Sequence, residues 1–160
     1  MGAAGMDVKQ ELNRDHEDHA ILLKQVVNAI EAKRPITELR RCWSAFEENL
    51  FDHMATEERY LFPVASQAHR REIEQLRAEH TRIRQIVVLL RASLDLPSSA
   101  SEGIEELGAV LRAHSAHEEQ SLHRWLEIDE GILASRGVLA IRARRERASA
   151  TTPVAVKECH

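Results

Sequence analysis

Nine histidines are spread over a chain of 160 residues, and four of them fall into a pattern with acidic residues that occurs twice. His53-Met-Ala-Thr-Glu57-Glu58-Arg-Tyr-Leu61 aligns with His114-Ser-Ala-His-Glu118-Glu119-Gln-Ser-Leu122, with the common form H-x-A-x-E-E-x-x-L. Upstream, Asp15-His16 matches Glu79-His80. A histidine and a glutamate four residues apart share one face of a helix. Such a set can form a hydrogen-bonded polar network or ligate a transition-metal cation.

These residues lie on the apolar stripes of four long helical segments. Segment A, from about Asp7 to Lys33, carries Leu12, His16, His19, Leu23, Val26 and Ile30. Asp7 with Gln10 resembles a capping box at its start. Pro35 then opens segment B, from about Ile36 to Leu61, with Leu39, Trp43, Phe46, Leu50, His53 and Glu57 on one stripe and Pro63 expected to end or kink it. Segment C, from about His69 to Leu94, carries Ile73, Leu76, His80, Ile83, Val87 and Leu90. The run from Leu96 to Ser101 reads as a loop, with Ser99 and Glu102 as a second capping box. Segment D, from about Ser101 to Ile128, carries Ile104, Leu107, Leu111, His114, Glu118, Leu122 and Trp125. The expected fold is all-α: an antiparallel up-down-up-down four-helix bundle over 7–128, a C-terminal extension over 129–148 with a short extra helix from about Val138, and a disordered tail over 149–160.

Spacing places the histidines at one height. The midpoint between His16 and His53 falls between Arg34 and Pro35, at a turn; that between His80 and His114 is Pro97, at another. The midpoint between His53 and His80 lies at Ser66 and Gln67, just past Pro63. At ~1.5 Å per residue each rod climbs ~25 Å and its partner descends as far. Two carboxylates and four imidazoles then meet inside the bundle. Burying an uncompensated charge costs several kcal/mol, and neither Lys nor Arg occupies the matching stripe positions. One histidine on an apolar stripe is ordinarily core; a repeated set calls for a pair of cations. Imidazole with carboxylate suits iron, manganese or zinc, and a set without cysteine is unlike a structural zinc site.

The arrangement His16, His53-x3-Glu57, His80, His114-x3-Glu118, with Glu57-Glu58-Arg-Tyr-Leu61-Phe62-Pro63 closing the second helix, resembles the hemerythrin family and its HHE cation-binding branch over about residues 8–128. The resemblance implies two non-haem iron ions, oxo- or hydroxo-bridged, with zinc or manganese as alternatives. One would sit on His16 and His53, the other on His80 and His114, with Glu57 and Glu118 bridging. Oxygen-carrying hemerythrins have a further histidine where this chain has Arg84. The third-helix pattern is instead similar to four-histidine, two-glutamate members such as the iron-centre repair proteins; their separate cysteine-bearing N-terminal domain is not expected here. Two octahedral ions offer about twelve positions; these residues and one bridging oxygen fill about ten. A nearly symmetric site with one open position per ion is expected.

Around this set, His19 aligns with Ile83 and reads as core or as orienting a ligand, although it stands one turn from His16 and could replace it. His117 aligns with Thr56 and could reach the metal, but reads as outside it. Glu58 and Glu119 read as orienting histidines or as solvated; His69, His123 and His160 as surface. Trp43, Phe46, Trp125 and Cys42 read as core, and the run Arg142 to Arg147 as a solvated face, with an acidic partner as the alternative. With two cysteines, one in a helix and one in the tail, no structural disulfide is expected. A net charge of −4 argues against a nucleic-acid partner. No apolar run is long enough for a membrane span and no secretory signal is apparent, so a cytoplasmic place is expected. The function expected is binding or sensing of dioxygen, nitric oxide, peroxide or iron; the alternative is a di-iron enzyme, a peroxidase or one that reduces nitric oxide or repairs iron centres. His16-Glu17-Asp18-His19 is one residue short of HExxH, which argues against proteolysis, and the ferritin-like Glu-x-x-His set is absent.

Overall fold

The first chain reversal shows how local chemistry sets the rods. In the computed structural model, which describes residues 3–65, 69–128, 139–140, 143–144 and 146–147, α1 runs from Ala3–Glu31. It ends where Lys33 turns left-handed at φ 51°. The Arg34 N–H then bonds the Ala29 carbonyl at 2.9 Å and the Lys33 N–H bonds that of Ile30 at 3.0 Å. This is a Schellman closure, which satisfies carbonyls the helix end would leave orphaned. Pro35, extended at φ −54° and ψ 145°, starts α2 (Ile36–Thr56).

Pro63 does not end the second rod. Upstream of it the helix widens into a π-turn, Glu57–Leu61, and continues as α3 (Phe62–Ala65). The Phe62 N–H reaches back five residues to the Glu57 carbonyl. A proline inside a helix clashes with the carbonyl four residues before it and removes a hydrogen bond; the wider turn accommodates this without breaking the rod. It also turns both Leu61 and Phe62 inward.

The third rod, α4 (Arg70–Ser93), matches expectation, with His69 just before it and Leu94 just after. The fourth, α5 (Pro97–Ile128), starts four residues earlier than expected. The Ala100 N–H bonds the Leu96 carbonyl at 3.3 Å, so the loop is only Leu94 to Leu96 and Pro97 is the first helical residue. That position tolerates proline because its N–H would be unsatisfied anyway. Ser99 and Glu102 therefore lie inside the helix, and Asp7 likewise lies inside α1. In the C-terminal extension the described residues Leu139, Ala140, Ala143, Arg144, Glu146 and Arg147 are helical. Residues 129–138 and the tail lie outside the described residues.

The rods form a closed four-helix bundle: α1 packs on α2 and α5, and α4 packs on α5 and on α2. The core comes in two apolar clusters. One contains Leu23, Val26, Trp43, Phe46, Leu50, Ile83, Val87 and Leu107; the other Leu12, Leu61, Phe62, Ile73, Leu76 and Trp125. Along the rods the buried histidines and glutamates of the repeat sit between a member of one cluster and a member of the other. Cys42 and both tryptophans are core, as expected. Gly103 allows close approach of α5 to α4, since a Cβ there would stand 2.5 Å from Leu90 Cδ2.

Candidate metal centre

The polar layer contains all six residues singled out by the repeat. Glu57 and Glu118 are each 1% exposed, and His53, His80 and His114 are buried; His16 is nearly so. The four Nε2 atoms face the two carboxylates. Glu57 spans His53 Nε2 at 2.9 Å and His80 Nε2 at 3.2 Å, one carboxylate oxygen to each. Glu118 Oε2 lies 3.4 Å from both His16 Nε2 and His114 Nε2. His80 and His114 approach Nε2 to Nε2 at 3.2 Å. The atoms gather in two groups, each within 4.8 Å: His16, His53, Glu57 and Glu118, and Glu57, His80 and His114. Glu57 belongs to both.

Apart from their contacts with one another, both oxygens of Glu57, both of Glu118, the Nε2 atoms of His16 and His53, and Nδ1 of His16 are buried without a hydrogen-bond partner among the described residues. Orphaned buried acceptors cost energy that a cation recovers. The donor chemistry and the orphaned atoms both fit metal.

A model of the hemerythrin HHE cation-binding domain matches residues 7–126, and matches again over 71–146, starting at the second hairpin. The chain belongs to the hemerythrin HHE cation-binding family. No curated protein and no solved structure matches it significantly. Like the family, it is a helical metal-binding domain.

Around the inner six, this HHE domain carries an outer ring of carboxylates, one facing each Nδ1. Asp15 Oδ2 lies 3.1 Å from His53, Glu58 Oε1 2.8 Å from His80, and Glu79 Oε2 2.7 Å from His114. Glu119 Oε1 lies 3.5 Å from His16. When Nδ1–H donates outward, the Nε2 lone pair is left facing the inner carboxylates. The ring repeats the pseudo-symmetry of the sequence: Asp15 and Glu79 each precede a histidine of one rod and serve the histidine of the next. Glu58 does orient a histidine, one of its two expected roles, whereas Glu119 stands near His16 Nδ1 without a hydrogen bond to it. Asp15 and Glu79 recur in the repeat, but the spacing within their own rods carries no sign of this role.

Further side chains brace the ring unequally. Arg84 reaches Glu58 at 2.8 Å, and His117 reaches Glu79 at 2.7 Å. Asp15 pairs with Arg144, from the C-terminal extension. Arg144 is 2% exposed, so for this residue the solvated reading of the arginine run is overturned: its partner is a carboxylate of the same chain. His19 is buried against His53, ring centroids 4.8 Å apart, outside both groups, its Nε2 without a partner among the described residues. His69 lies half-buried against Trp125 rather than on the surface. Phe62 stacks on His80 at 5.4 Å.

The metal-free electrostatics show protons where cations would go. Burial pushes the His53 imidazole down, but Glu57 and Asp15 outweigh it and raise it to about 10. Burial raises the Glu118 carboxyl, and the Glu57 charge adds to this, to about 7. Burial would also raise Glu57, yet His53 and His80 hold it well below the usual range. Burial pushes His114 below its ordinary value, and its neighbouring carboxylates do not restore it. Burial leaves His19 well below its ordinary value, hence neutral.

A cleft of about 1130 Å³ between α1 and α5 reaches His16, His19, His53 and His114 from outside. Its walls include Leu23, Val27, Leu50, Ile104 and Leu111. Among the described residues no helix is long and apolar enough to cross a membrane.

Proposed function

We propose that His16, His53, Glu57, His80, His114 and Glu118 bind two iron ions, and that the pair binds or senses small oxidants: dioxygen, nitric oxide or peroxide. One observation carries this reading. Four imidazole Nε2 atoms face two buried carboxylates whose oxygens have no other hydrogen-bond partner among the described residues. When bound, the ions supply open coordination positions and redox chemistry. The chain supplies the rest. Glu57 ties the halves together, Asp15, Glu58 and Glu79 hold His53, His80 and His114 with their Nε2 lone pairs inward, and the two apolar clusters flank the site along the bundle. Glu118 holds a proton up to pH of about 7 that loading must displace.

Anaerobic reconstitution with ferrous iron, followed by metal analysis and an optical spectrum, tests the proposal. Two irons per chain with an oxo-to-iron charge-transfer band on oxidation is the expected result. Less than one metal per chain after reconstitution would sink it. A stable, reversible oxygenated form would replace sensing with oxygen carriage.

The cleft favours a second reading. A diatomic ligand needs a far smaller channel, whereas about 1130 Å³ admits a co-substrate. A peroxidase or nitric-oxide reductase needs a reductant. Steady turnover of peroxide or nitric oxide that disappears in His80→Ala would establish the enzyme; stoichiometric binding without turnover would establish the sensor.

A further inference from the structure

Arg144 is the one described cation of the C-terminal extension that is buried. Its guanidinium meets the Asp15 carboxylate, itself buried, and its Nη1 lies 3.5 Å from the Asn49 carbonyl. Asp15 belongs to α1; Asn49 belongs to α2, one turn before His53. Arg144 thus clasps the first hairpin at the level of the metal site. Asp15 in turn accepts from His53 Nδ1 at 3.1 Å. The chain of contacts runs from the extension, through one carboxylate, to an imidazole of the inner six. A guanidinium suits this place because it stays charged and its planar donors can engage a carboxylate and a carbonyl together.

The second half of the site is braced from within the bundle. Glu79, which occupies the equivalent of Asp15, pairs with His117 of α5; Glu58 pairs with Arg84 of α4. Only on the His16/His53 side does a residue outside the four rods complete the support, among the described residues.

We propose that Arg144 is a positioning residue for the His16/His53 half of the centre, so that metal loading of that half and docking of the C-terminal extension depend on each other. This rests on the metal-binding reading above. The reciprocity is thermodynamic: if docking raises the affinity of this half, loading must raise the stability of docking by the same factor. Occupancy of the buried centre is thereby expressed on a segment outside the bundle, which a partner or protease can read.

The test uses the full chain and three variants: Arg144→Gln, Arg144→Lys and Leu39→Ala, the last a core change remote from the site. Anaerobic ferrous titration of wild type should show two metals per chain. Arg144→Gln should keep one and weaken the other by roughly 10–100-fold, as loss of an orienting partner does. Arg144→Lys should recover part of the loss. Trypsin should cut the extension of wild type more slowly when iron is loaded, and that of Arg144→Gln quickly in both states. Leu39→Ala should lower Tm without separating the two metals. The proposal is overturned if Arg144→Gln leaves the titration and the cleavage rates unchanged. It is equally overturned if both metals weaken together, as a general loss of stability would cause.

Nitrogen NMR of the metal-free protein supplies a readout independent of loading. The His53 Nδ1–H···Asp15 signal should be present in wild type and lost or shifted in Arg144→Gln. An unchanged signal refutes the clasp. If wild type bound no metal while this signal behaved as expected, the metal-binding reading would fail and the positioning of His53 would stand.

Discussion

The two halves of the centre are built from the same repeat but held by different means. His53 and His114 are equivalent in sequence, and each gives its Nδ1 to an acidic residue of the neighbouring rod. Asp15, serving His53, is 2% exposed and paired with a buried arginine. Glu79, serving His114, is 35% exposed and paired with a histidine at the surface. The same contact is desolvated on one side and partly exposed to water on the other. A duplicated hairpin therefore yields a pseudo-symmetric inner set inside an asymmetric frame, rather than the nearly symmetric site the repeat suggests.

Breaking the element common to both halves has the largest expected effect. Glu57 belongs to both ligand groups, whereas Glu118 belongs to the first only. On the proposed two-iron reading, Glu57→Ala should take the metal content from two per chain to none, while Glu118→Ala should spare the His80/His114 half more than the other. Metal analysis after reconstitution checks both. Equal losses in the two variants would show that the inner set is as symmetric as the sequence.

Breaking one outer carboxylate at a time sharpens the contrast between the halves. Asp15→Asn leaves the Arg144 charge buried without its counter-charge, a change that costs about 3–5 kcal/mol. Glu79→Gln removes a half-exposed pair whose value is about 0.2–1 kcal/mol. Urea denaturation of the metal-free variants should therefore separate them clearly. Similar midpoints would mean that water reaches Asp15 as readily as Glu79.

Much of this was legible in the sequence because the inner residues obey helical period. His53 with Glu57, and His114 with Glu118, repeat at a spacing that only a helix face explains, and the midpoints at Pro35 and Pro97 fix their common height. The outer ring was harder to read. Asp15 and Glu79 touch histidines on another rod, and no local spacing reports a contact across a hairpin. Arg144 was illegible for a related reason: a run rich in arginine has the composition of a solvated face, and its partner lies far back in α1. Prolines were half legible. Pro63 marked an irregularity, but the π-turn lies before it, where the carbonyls must move aside, and the rod continues. Pro97 opens a helix where a loop was expected.

Protonation offers a gentler way to compare the halves. His53 is raised to about 10, whereas His114 is lowered. Near pH 8 the metal-free protein should hold a charged imidazole in the first half and a neutral one in the second, which histidine NMR can resolve. The raised His53 contributes stability fully present below its unfolded value near 6.5 and lost as pH rises through about 10. His16 and His80 shift in the same direction despite burial, because Glu118 and Glu57 outweigh it. The metal-free Tm should fall between pH 6.5 and 10. With iron loaded, the cations take the place of these protons and the fall should shrink. A metal-free Tm that rises over this range would contradict the ion pairing described for His53.

The smallest effect lies at the hairpin turns, far from the chemistry, and it asks whether the halves differ there too. The first hairpin turns through Lys33 at φ 51°; it is the only non-glycine residue with positive φ among the described residues. A side chain in that region costs about 1–2 kcal/mol, because its Cβ crowds the following carbonyl. Glycine removes the crowding but gives back part of the gain as chain entropy in the unfolded state. Lys33→Gly should therefore stabilise the protein by about 1 kcal/mol, read as a higher urea midpoint at constant slope. The turn is about 25 Å of helix from His16, so iron affinity should not change. Loss of affinity in this variant would mean that the hairpin's register, and not only its ring of carboxylates, sets the height at which His16 meets His53.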